Sequence, residues 1–413
     1  MGSRRARPRS DRRGRARPLR RIHRRPDRRR DPADDHPPPL LEPDLGRRSA
    51  RRRLCGGAHR SEPLRLGSPD RIIEIIAEFA EHAALLGERF GDRVDEWGTV
   101  NEPLNYLLAS YGIGNFPPGK SGILGDIDGV FVAAVRSYLG GHAAAYDALK
   151  AADTIDADGD GDPAAVGFTQ AVGAWVPARD NLVSDDPDDV AARDRLVRVY
   201  HYLWVDAIRE GAFDPDLDGV LDEPHPEWAD RLDWLGVQYY FRAGVTAEPG
   251  LMPLIEVTPC FGDFDFGACV PPLDPSYRVP AMKYEHYPQG LYEVLSDLGA
   301  RWPDLPLTVT ESGIATVIGR RRAEAVVRAL EAIDRARGEG VDVRGYYHWS
   351  IYDNFEWAEG YTPRFGLYTV DFQGFARTAT EGATVLGEIA AARGMSAEIK
   401  AEYGGEGPMT PEE

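Results

Sequence analysis

The stretch that decides the fold is SPDRIIEIIAEFAEHAALLGERFGDRVDEWGTVNEP, residues 68–103. It opens on Ser68-Pro69-Asp70, which is a helix-start signal, and apolar side chains then recur at helical spacing. These apolar residues are Ile72, Ile75, Ile76, Phe79, Ala80 and Ala83. Strand-forming residues follow at 94–100 and end at Asn101-Glu102-Pro103. The stretch therefore predicts a helix over residues 69–90 and then a strand with a carboxylate at its carboxyl end.

The same helix-then-strand pattern recurs along the rest of the chain. Helical spacing marks residues 130–151, 190–209, 290–300, 321–337 and 378–393, and the strand-like runs are 165–171, 235–240, 307–310 and 343–349. Five strands that alternate with helices predict an α/β fold with a parallel sheet. An eight-stranded barrel of this kind would need three more strands before Ser68, and the residues there cannot supply them.

The charge of the chain is distributed very unevenly. The formal charge of the 413 residues is −18, but residues 1–70 hold 22 Arg, no Lys and 9 acidic residues, a charge of +13. The other residues hold 27 basic and 58 acidic groups, a charge of −31. Such an acidic domain is soluble, but its negative charges repel one another and destabilise the compact state. Concentrated salt screens that repulsion. We therefore expect an acidic protein from a salty cytoplasm, with an ordinary acidic protein as the alternative.

Residues 1–67 are rich in Arg and Pro and cannot form a core. One interpretation is a disordered, arginine-rich arm that binds nucleic acid, but the segment lacks lysines and the aromatic residues that stack on bases. The other is a GC-rich coding sequence translated out of frame. Residues 35–46 can be encoded by codons whose shifted frame reads MITLHHFSNPTW, which resembles a strand that ends in two histidines. We favour the shifted frame and predict no nucleic-acid partner.

The composition excludes several other classes. No apolar run approaches the roughly 18 residues that a membrane span needs, and the N-terminus lacks the apolar stretch of a secretory signal. These features predict a cytoplasmic protein with no membrane partner. Of the three cysteines, Cys260 and Cys269 lie close enough in sequence to pair, but two free thiols are the expectation for a reducing cell.

Polar side chains stand at the carboxyl ends of the predicted strands, where a barrel places its active site. Glu102 ends one strand and Glu311 another, although Glu is a poor strand residue. One such Glu would usually be a surface group. Two of them, together with a Trp-rich loop after the last strand, favour a site for glycoside hydrolysis, which needs one protonated and one ionised carboxyl group.

Three segments, 99–103, 307–313 and 349–366, resemble the hallmark motifs of glycoside hydrolase family 1, the retaining β-glucosidases and β-galactosidases. The resemblance implies a (β/α)8 TIM barrel that hydrolyses a small-molecule or oligosaccharide β-glycoside by double displacement. It implies no cofactor and no metal, and it leaves the oligomeric state open. The barrel would span residues 68–395 as strands four to eight, incomplete at its N-terminal side, with 396–413 as a polar tail.

The resemblance also implies roles for individual residues. Glu102 would be the general acid/base and Glu311 the nucleophile. The substrate-binding residues would be Asn101 at the sugar 2-hydroxyl, Tyr240 as a hydrogen-bond donor to Glu311, Trp349 under the sugar ring, Glu356 and Trp357 at its outer hydroxyls, and Phe365 in the pocket wall. A carboxylate at Glu356 would repel a 6-phosphate, so we expect an unphosphorylated sugar.

The chain departs from the family pattern in two ways. Gln238 and Ser312 each stand where the family more often has Asn. The sugar contacts that the family takes from its first strands, a Gln, an Arg and a His-Trp pair, have no counterpart in residues 1–67. The alternative interpretation is therefore a catalytically impaired or inactive homologue.

Two further patterns have simpler explanations. The run Asp156-Ala157-Asp158-Gly159-Asp160-Gly161-Asp162 imitates the start of a calcium-binding loop but has Gly167 where the final Glu is required, so we favour a solvated acidic loop. His142 and His201 lie on predicted helices and are expected to be packing residues rather than ligands.

Overall fold

Helices and strands alternate from Pro69 onward, as the sequence predicts. The computed structural model describes residues 69–260 and 265–412, with side chains from residue 72, so the predictions for residues 1–67 lie outside the described residues. The helices are α1 (Pro69–Phe90), α2 (Pro103–Leu107), α3 (Ala133–Ala152), α4 (Pro187–Val197), α5 (Leu203–Glu210), α6 (Pro288–Arg301), α7 (Gly319–Gly338), α8 (Glu381–Ala392) and α9 (Ala397–Tyr403). None of these helices is long and apolar enough to cross a bilayer.

Among the described residues, five strands form the central sheet, and the other strands are only two or three residues long. In chain order they are β1 (Glu96–Asn101), β2 (Ala165–Arg179), β3 (Leu182–Val183), β4 (Ala212–Phe213), β5 (Glu223–Pro224), β6 (Trp234–Thr246), β7 (Thr258–Pro259), β8 (Arg278–Val279), β9 (Tyr284–Glu285), β10 (Leu307–Ser312), β11 (Val343–His348), β12 (Tyr368–Val370) and β13 (Arg377–Ala379). A short π-helical segment precedes each of α3 and α5, at Ile127–Val132 and at Arg198–Tyr202.

Five parallel strands form the centre of the fold, in the order β1-β2-β6-β10-β11. Their register aligns the strand ends: Asn101 pairs with Thr169, Gln238 pairs with Ala171 and Glu311, and Ser312 pairs with His348. The predicted parallel α/β sheet of five strands is confirmed. Because all five strands run the same way, their polar carboxyl ends meet at one edge.

The hydrophobic core lies between this sheet and its helices. Phe168 of β2, Leu235 of β6, Trp204 of α5 and Leu298 of α6 are almost completely buried there. Each side chain of this size contributes about 1.5–3 kcal/mol by leaving water. His142 belongs to the same layer, where Nδ1 accepts from Thr99 and Nε2 donates to the carbonyl of Arg231, both at 2.6 Å. The core thus fixes the sheet whose edge carries the polar residues.

The C-terminal segment packs against α7. Arg321 donates to the carbonyl of Thr410 at 2.7 Å, Arg328 donates to that of Gly407 at 2.6 Å, and the Thr410 amide donates to Glu324 at 2.7 Å. Met409 is buried in a cluster with Ile314 and Phe365. The predicted polar tail therefore also contains helix α9 and a buried anchor, which its composition does not indicate.

A disulfide joins Cys260 and Cys269, with the Cα atoms 4.8 Å apart. The expectation of two free thiols is wrong. It rested on the redox state of the cell, whereas the loop brings the two Cα atoms within the ordinary disulfide range.

Candidate active site

Glu102 stands at the junction of β1 and α2. It caps the helix in the left-handed region, at φ 43° and ψ 53°, and Pro103 occupies the first turn. Proline suits this position because its fixed φ is that of a helix. An N–H group at the first helical position would have no partner within the helix, so proline loses no hydrogen bond there. The sharp turn ends the strand at the sheet edge and directs the Glu102 side chain to where the strand ends meet.

The surroundings of Glu102 favour a protonated carboxyl group. Burial and the nearby charge of Glu311 raise the pKa of Glu102 to about 7, and Glu356 acts in the same direction. A hydrogen bond from Asn105 Nδ2 to Glu102 Oε2, 3.2 Å long, opposes this shift only in part. The hydroxyl of Tyr200 in turn donates to Asn105 and fixes its amide. Glu102 can therefore hold a proton near neutral pH.

Glu311 of β10 receives two donors. Tyr240 Oη donates to Glu311 Oε2 at 2.6 Å, and Gln238 Nε2 donates to Oε1 at 2.8 Å. Burial raises the pKa of Glu311, the Tyr240 hydrogen bond lowers it, and the charge of Glu356 raises it. Burial and the Glu311 charge keep the pKa of Tyr240 well above its usual value, so its hydroxyl remains a donor. Burial prevails, so the pKa of Glu311 lies above its usual value, while the two hydrogen bonds to the carboxylate favour its ionised form.

Gln238 connects the two catalytic candidates. Its Nε2 group also donates to Asn101 Oδ1 at 2.8 Å, and Thr169 Oγ1 donates to the same oxygen at 2.6 Å. Because Asn101 precedes Glu102 directly, this chain of hydrogen bonds ties the end of β1 to that of β10 across β2 and β6. The strand register and these side chains together hold Glu102 and Glu311 on one edge.

The loop after β11 adds a third carboxylate. Trp349 Nε1 donates to Glu356 Oε2 at 3.4 Å. Burial raises the pKa of Glu356, although Trp349 lowers it. Burial of its hydroxyl and the Glu356 charge likewise raise the pKa of Tyr284, a half-buried residue of β9. The predicted residues Trp349 and Glu356 thus lie together, within electrostatic reach of both Glu102 and Glu311.

The remaining predicted residues are aromatic. Phe365 is buried and meets the Tyr240 ring edge-on, with the centroids 5.9 Å apart. Trp357 is 55% exposed and stacks on Phe116, with centroids 4.9 Å apart and planes 13° apart. The structure therefore associates Phe365 with Glu311 through Tyr240, and it leaves one face of Trp357 open.

Several contacts of the site were not predicted from the sequence. Thr169 stands at the carboxyl end of β2, so the strand-end rule that selected Glu102 could have found it. Asn105 lies three residues after Glu102, a spacing that brings two side chains to one helix face. Tyr200 and Phe116 reach the site through tertiary packing, and no local pattern marks them.

Two groups of aspartates in the described residues resemble cation sites. They are Asp95 with Asp156 and Asp158, and Asp214 with Asp216 and Asp218. In the first group Asp95 accepts from the amides of Ala157 and Asp158, and Asp156 accepts from Gly159 and Gly161. These hydrogen bonds account for the clustering of the first group.

Comparisons with known proteins show the family to which the chain belongs. Residues 70–395 match the model of Glycosyl hydrolase family 1. A β-galactosidase of Pyrococcus woesei is 34% identical over 340 residues, which are 79% of this chain and 63% of that one. The chain spans 60–63% of the length of this and two other curated β-galactosidases, from Sulfolobus acidocaldarius and Saccharolobus solfataricus.

Solved structures give the same result. A β-glycosidase from Pyrococcus horikoshii matches with a TM-score of 0.65 and 29% identity, over 80% of this chain and 69% of that one. A β-glucosidase from Thermotoga maritima in complex with deoxynojirimycin matches with a TM-score of 0.65 and 25% identity, over 78% and 69%. The predicted TIM-barrel class is confirmed by these neighbours.

Proposed function

Because the chain belongs to glycosyl hydrolase family 1, we propose that it is a retaining β-glycosidase that cleaves unphosphorylated β-linked glycosides. One observation carries the proposal: two glutamates share a sheet edge but have different partners. Glu102 has a pKa of about 7 and one amide donor, whereas Glu311 receives two donors. Environments that differ in this way assign one carboxyl group as acid and the other as nucleophile.

In the first step, Glu311 attacks the anomeric carbon while Glu102 gives its proton to the glycosidic oxygen. The bond between that carbon and oxygen breaks, and the aglycone leaves as an alcohol. In the second step, Glu102 removes a proton from water, the water oxygen attacks the anomeric carbon, and the bond to Glu311 breaks. Two inversions retain the β configuration.

The sugar-binding roles follow from chemistry at the same edge. Asn101 accepts both of its hydrogen bonds at Oδ1, so its Nδ2 group can donate to a sugar 2-hydroxyl. Trp349 provides an aromatic face for the ring, Glu356 and the open face of Trp357 meet the outer hydroxyls, and Phe365 supports Tyr240. The carboxylate of Glu356 would repel a phosphorylated sugar.

The test is hydrolysis by the full chain of nitrophenyl β-glucoside and β-galactoside, with the anomer that forms first identified by proton NMR. We expect the β anomer. Glu311→Gly should abolish turnover, and Glu102→Ala should slow it most for aglycones that are poor leaving groups. Glu388→Gln, at an exposed position of α8, is the control and should leave the rate unchanged.

Covalent labelling separates the proposal from its alternative, an impaired homologue. A 2-fluoro-glycoside that traps the intermediate should label Glu311, which peptide mass spectrometry detects even at low turnover. A folded, soluble chain with neither turnover nor label at Glu311 would contradict the proposed activity. First release of the α anomer would contradict the retaining mechanism.

We also propose that the protein works in a salt-rich cytoplasm. The support is compositional: the residues after position 70 carry 58 acidic and 27 basic groups.

A further inference from the structure

A short chain of hydrogen bonds lies behind Glu102, and neither step of the proposed reaction accounts for it. Asn105 Nδ2 donates to Glu102 Oε2 at 3.2 Å, and the hydroxyl of Tyr200 donates to Asn105 Oδ1. Among the residues that the structure describes, Asn105 is the only one that donates a hydrogen bond to the Glu102 carboxyl group. One of the two oxygens of Glu102 is therefore held, whereas Oε1 has no such donor.

The fold keeps both members of this chain in place. Asn105 follows Glu102 by three residues, a spacing that brings two side chains to one helix face, and Leu107 buries the same short helix in the core. Tyr200 is buried too, and its ring meets that of Trp175 edge-on with the centroids 5.3 Å apart. The Tyr200 hydroxyl therefore has little freedom to move away from Asn105.

The Tyr200 hydroxyl determines which way the Asn105 amide points. Burial and the charge of Glu102 hold the pKa of Tyr200 above its usual range, although the Asn105 hydrogen bond lowers it, so the hydroxyl keeps its proton. Within the described residues, Asn105 Oδ1 is the one acceptor of that proton. An amide turned the other way would leave a buried hydroxyl without an acceptor, which is unfavourable. The Nδ2 group of Asn105 therefore stays directed at Glu102.

We propose that Asn105 is a positioning residue that directs the proton of Glu102 to Oε1. An oxygen that accepts from an amide N–H is favoured as the unprotonated oxygen of a carboxyl group, because its partner already brings a hydrogen. The proton then resides on the other oxygen, from which it can pass to the glycosidic oxygen. The same hydrogen bond favours the ionised form that acts as base in the second step. This inference rests on the proposed function, in which Glu102 is the general acid/base.

The other titratable groups around Glu102 act in the opposite direction. Burial, the charge of Glu311 on β10 and that of Glu356 after β11 all raise the pKa of Glu102. Tyr240 of β6 lies within reach of the Glu102 charge, but its hydroxyl donates to Glu311. The hydrogen bond from Asn105 lowers the pKa of Glu102. Loss of the Asn105 amide should therefore raise that pKa further.

A titration of Glu102 tests this directly. Asn105→Leu removes the amide and keeps a side chain of similar size. The charge of Glu102 is followed by carbon NMR of the full chain, with its glutamates isotopically labelled at Cδ and with Glu102→Gln identifying the signal. The titration midpoint in Asn105→Leu should rise by about one pH unit, because the lost hydrogen bond favours the carboxylate.

Two tyrosine variants form a matched pair on the segment Arg198–Tyr202. Tyr200→Phe removes the hydroxyl that fixes Asn105 and keeps the ring, so the Glu102 midpoint should rise, but by less than in Asn105→Leu. Tyr202→Phe removes a hydrogen bond to a different carboxylate, Asp297 of α6, at 2.5 Å, and should leave the midpoint unchanged.

Kinetics separate a positioning role from a merely structural one. An alkyl aglycone leaves only when it is protonated, whereas a nitrophenol needs little help from an acid. Asn105→Leu should therefore lower kcat/KM about tenfold for an alkyl β-glucoside and less than about threefold for a nitrophenyl β-glucoside. The alkaline limb of kcat/KM should move to higher pH together with the NMR midpoint. General damage to the fold would slow both substrates alike.

An unchanged Glu102 midpoint in the folded variants would overturn the proposal, and so would equal slowing of the two substrates. Circular dichroism shows whether each variant folds, and Tyr200→Phe decides the question if Asn105→Leu does not fold. The NMR titration requires no turnover. A chain that hydrolyses no glycoside but shows the raised midpoint would contradict the proposed function while supporting the action of Asn105 on Glu102.

Discussion

The chemistry of Glu102 comes from its environment rather than from its side chain alone. Burial and Glu311 set its pKa at about 7, against an ordinary value of 4.5. On this basis kcat should fall as the pH rises through about 7, because the acid is then deprotonated before it can donate. The pH dependence of nitrophenyl glycoside hydrolysis measures this, and a rate still rising well above neutral pH would contradict it.

The same pKa shift makes Glu102 a stability cost at high pH. Since its folded-state pKa exceeds the unfolded value, the folded state loses stability as the pH rises from about 4.5 through 7. Glu102→Gln should therefore raise the melting temperature more at a pH of about 8.5 than at about 5. Glu96→Gln, at an exposed position of the same strand, is the control. A gain independent of pH would disprove the assignment.

Tyr240 offers a test of the other glutamate. Tyr240→Phe removes the 2.6 Å hydrogen bond to Glu311 while keeping the ring contact with Phe365. A hydrogen bond to a charged group contributes about 1.5–3 kcal/mol, so kcat/KM should fall about ten- to hundredfold. The exposed Tyr347→Phe should have no such effect. Equal rates for both variants would mean that Tyr240 does not act on Glu311.

At the scale of elements, α7 links the C-terminal segment to the site. Its arginines hold the carbonyls of Gly407 and Thr410, and Met409 packs in the cluster that contains Phe365 and borders Tyr240 and Trp349. Met409→Ala should lower the free energy of unfolding by about 2–5 kcal/mol, as at other buried sites. Met395→Ala, at a half-buried position, should cost less. Denaturant titration compares the two, and equal losses would show that Met409 is no anchor.

At the scale of the whole molecule, charge is the main physical feature. The acidic excess repels itself, and ions shorten the range of that repulsion to about 3 Å at 1 M. The melting temperature should therefore rise between low salt and molar KCl. Molar sucrose is the control, because it favours compact states without screening charge. A larger rise in melting temperature with KCl than with sucrose would indicate charge screening. Unchanged stability in KCl would contradict the proposed salty habitat.

The sequence predicts the elements of this molecule better than the connections between them. The bounds of α1 and the positions of Glu102 and Glu311 follow from apolar spacing and strand ends, which are local signals. The bridge from Gln238 to Asn101 and the Tyr200 contact with Asn105 join residues 137 and 95 positions apart, and periodicity carries no such information. Met409 was missed because one apolar residue in a polar segment gives no pattern.

The left-handed backbone at Glu102 lowers the stability of the fold at a residue that the proposed catalysis requires. A left-handed φ of 43° is comfortable for Gly, whereas other residues pay about 1–3 kcal/mol for it. The chain therefore keeps a side chain that its own turn disfavours, and it does so at the residue that we propose as the proton donor. A lineage that is no longer selected for activity would therefore gain thermal stability by replacing Glu102 with glycine. At this position, loss of the enzyme's activity and a gain in folding stability would go together.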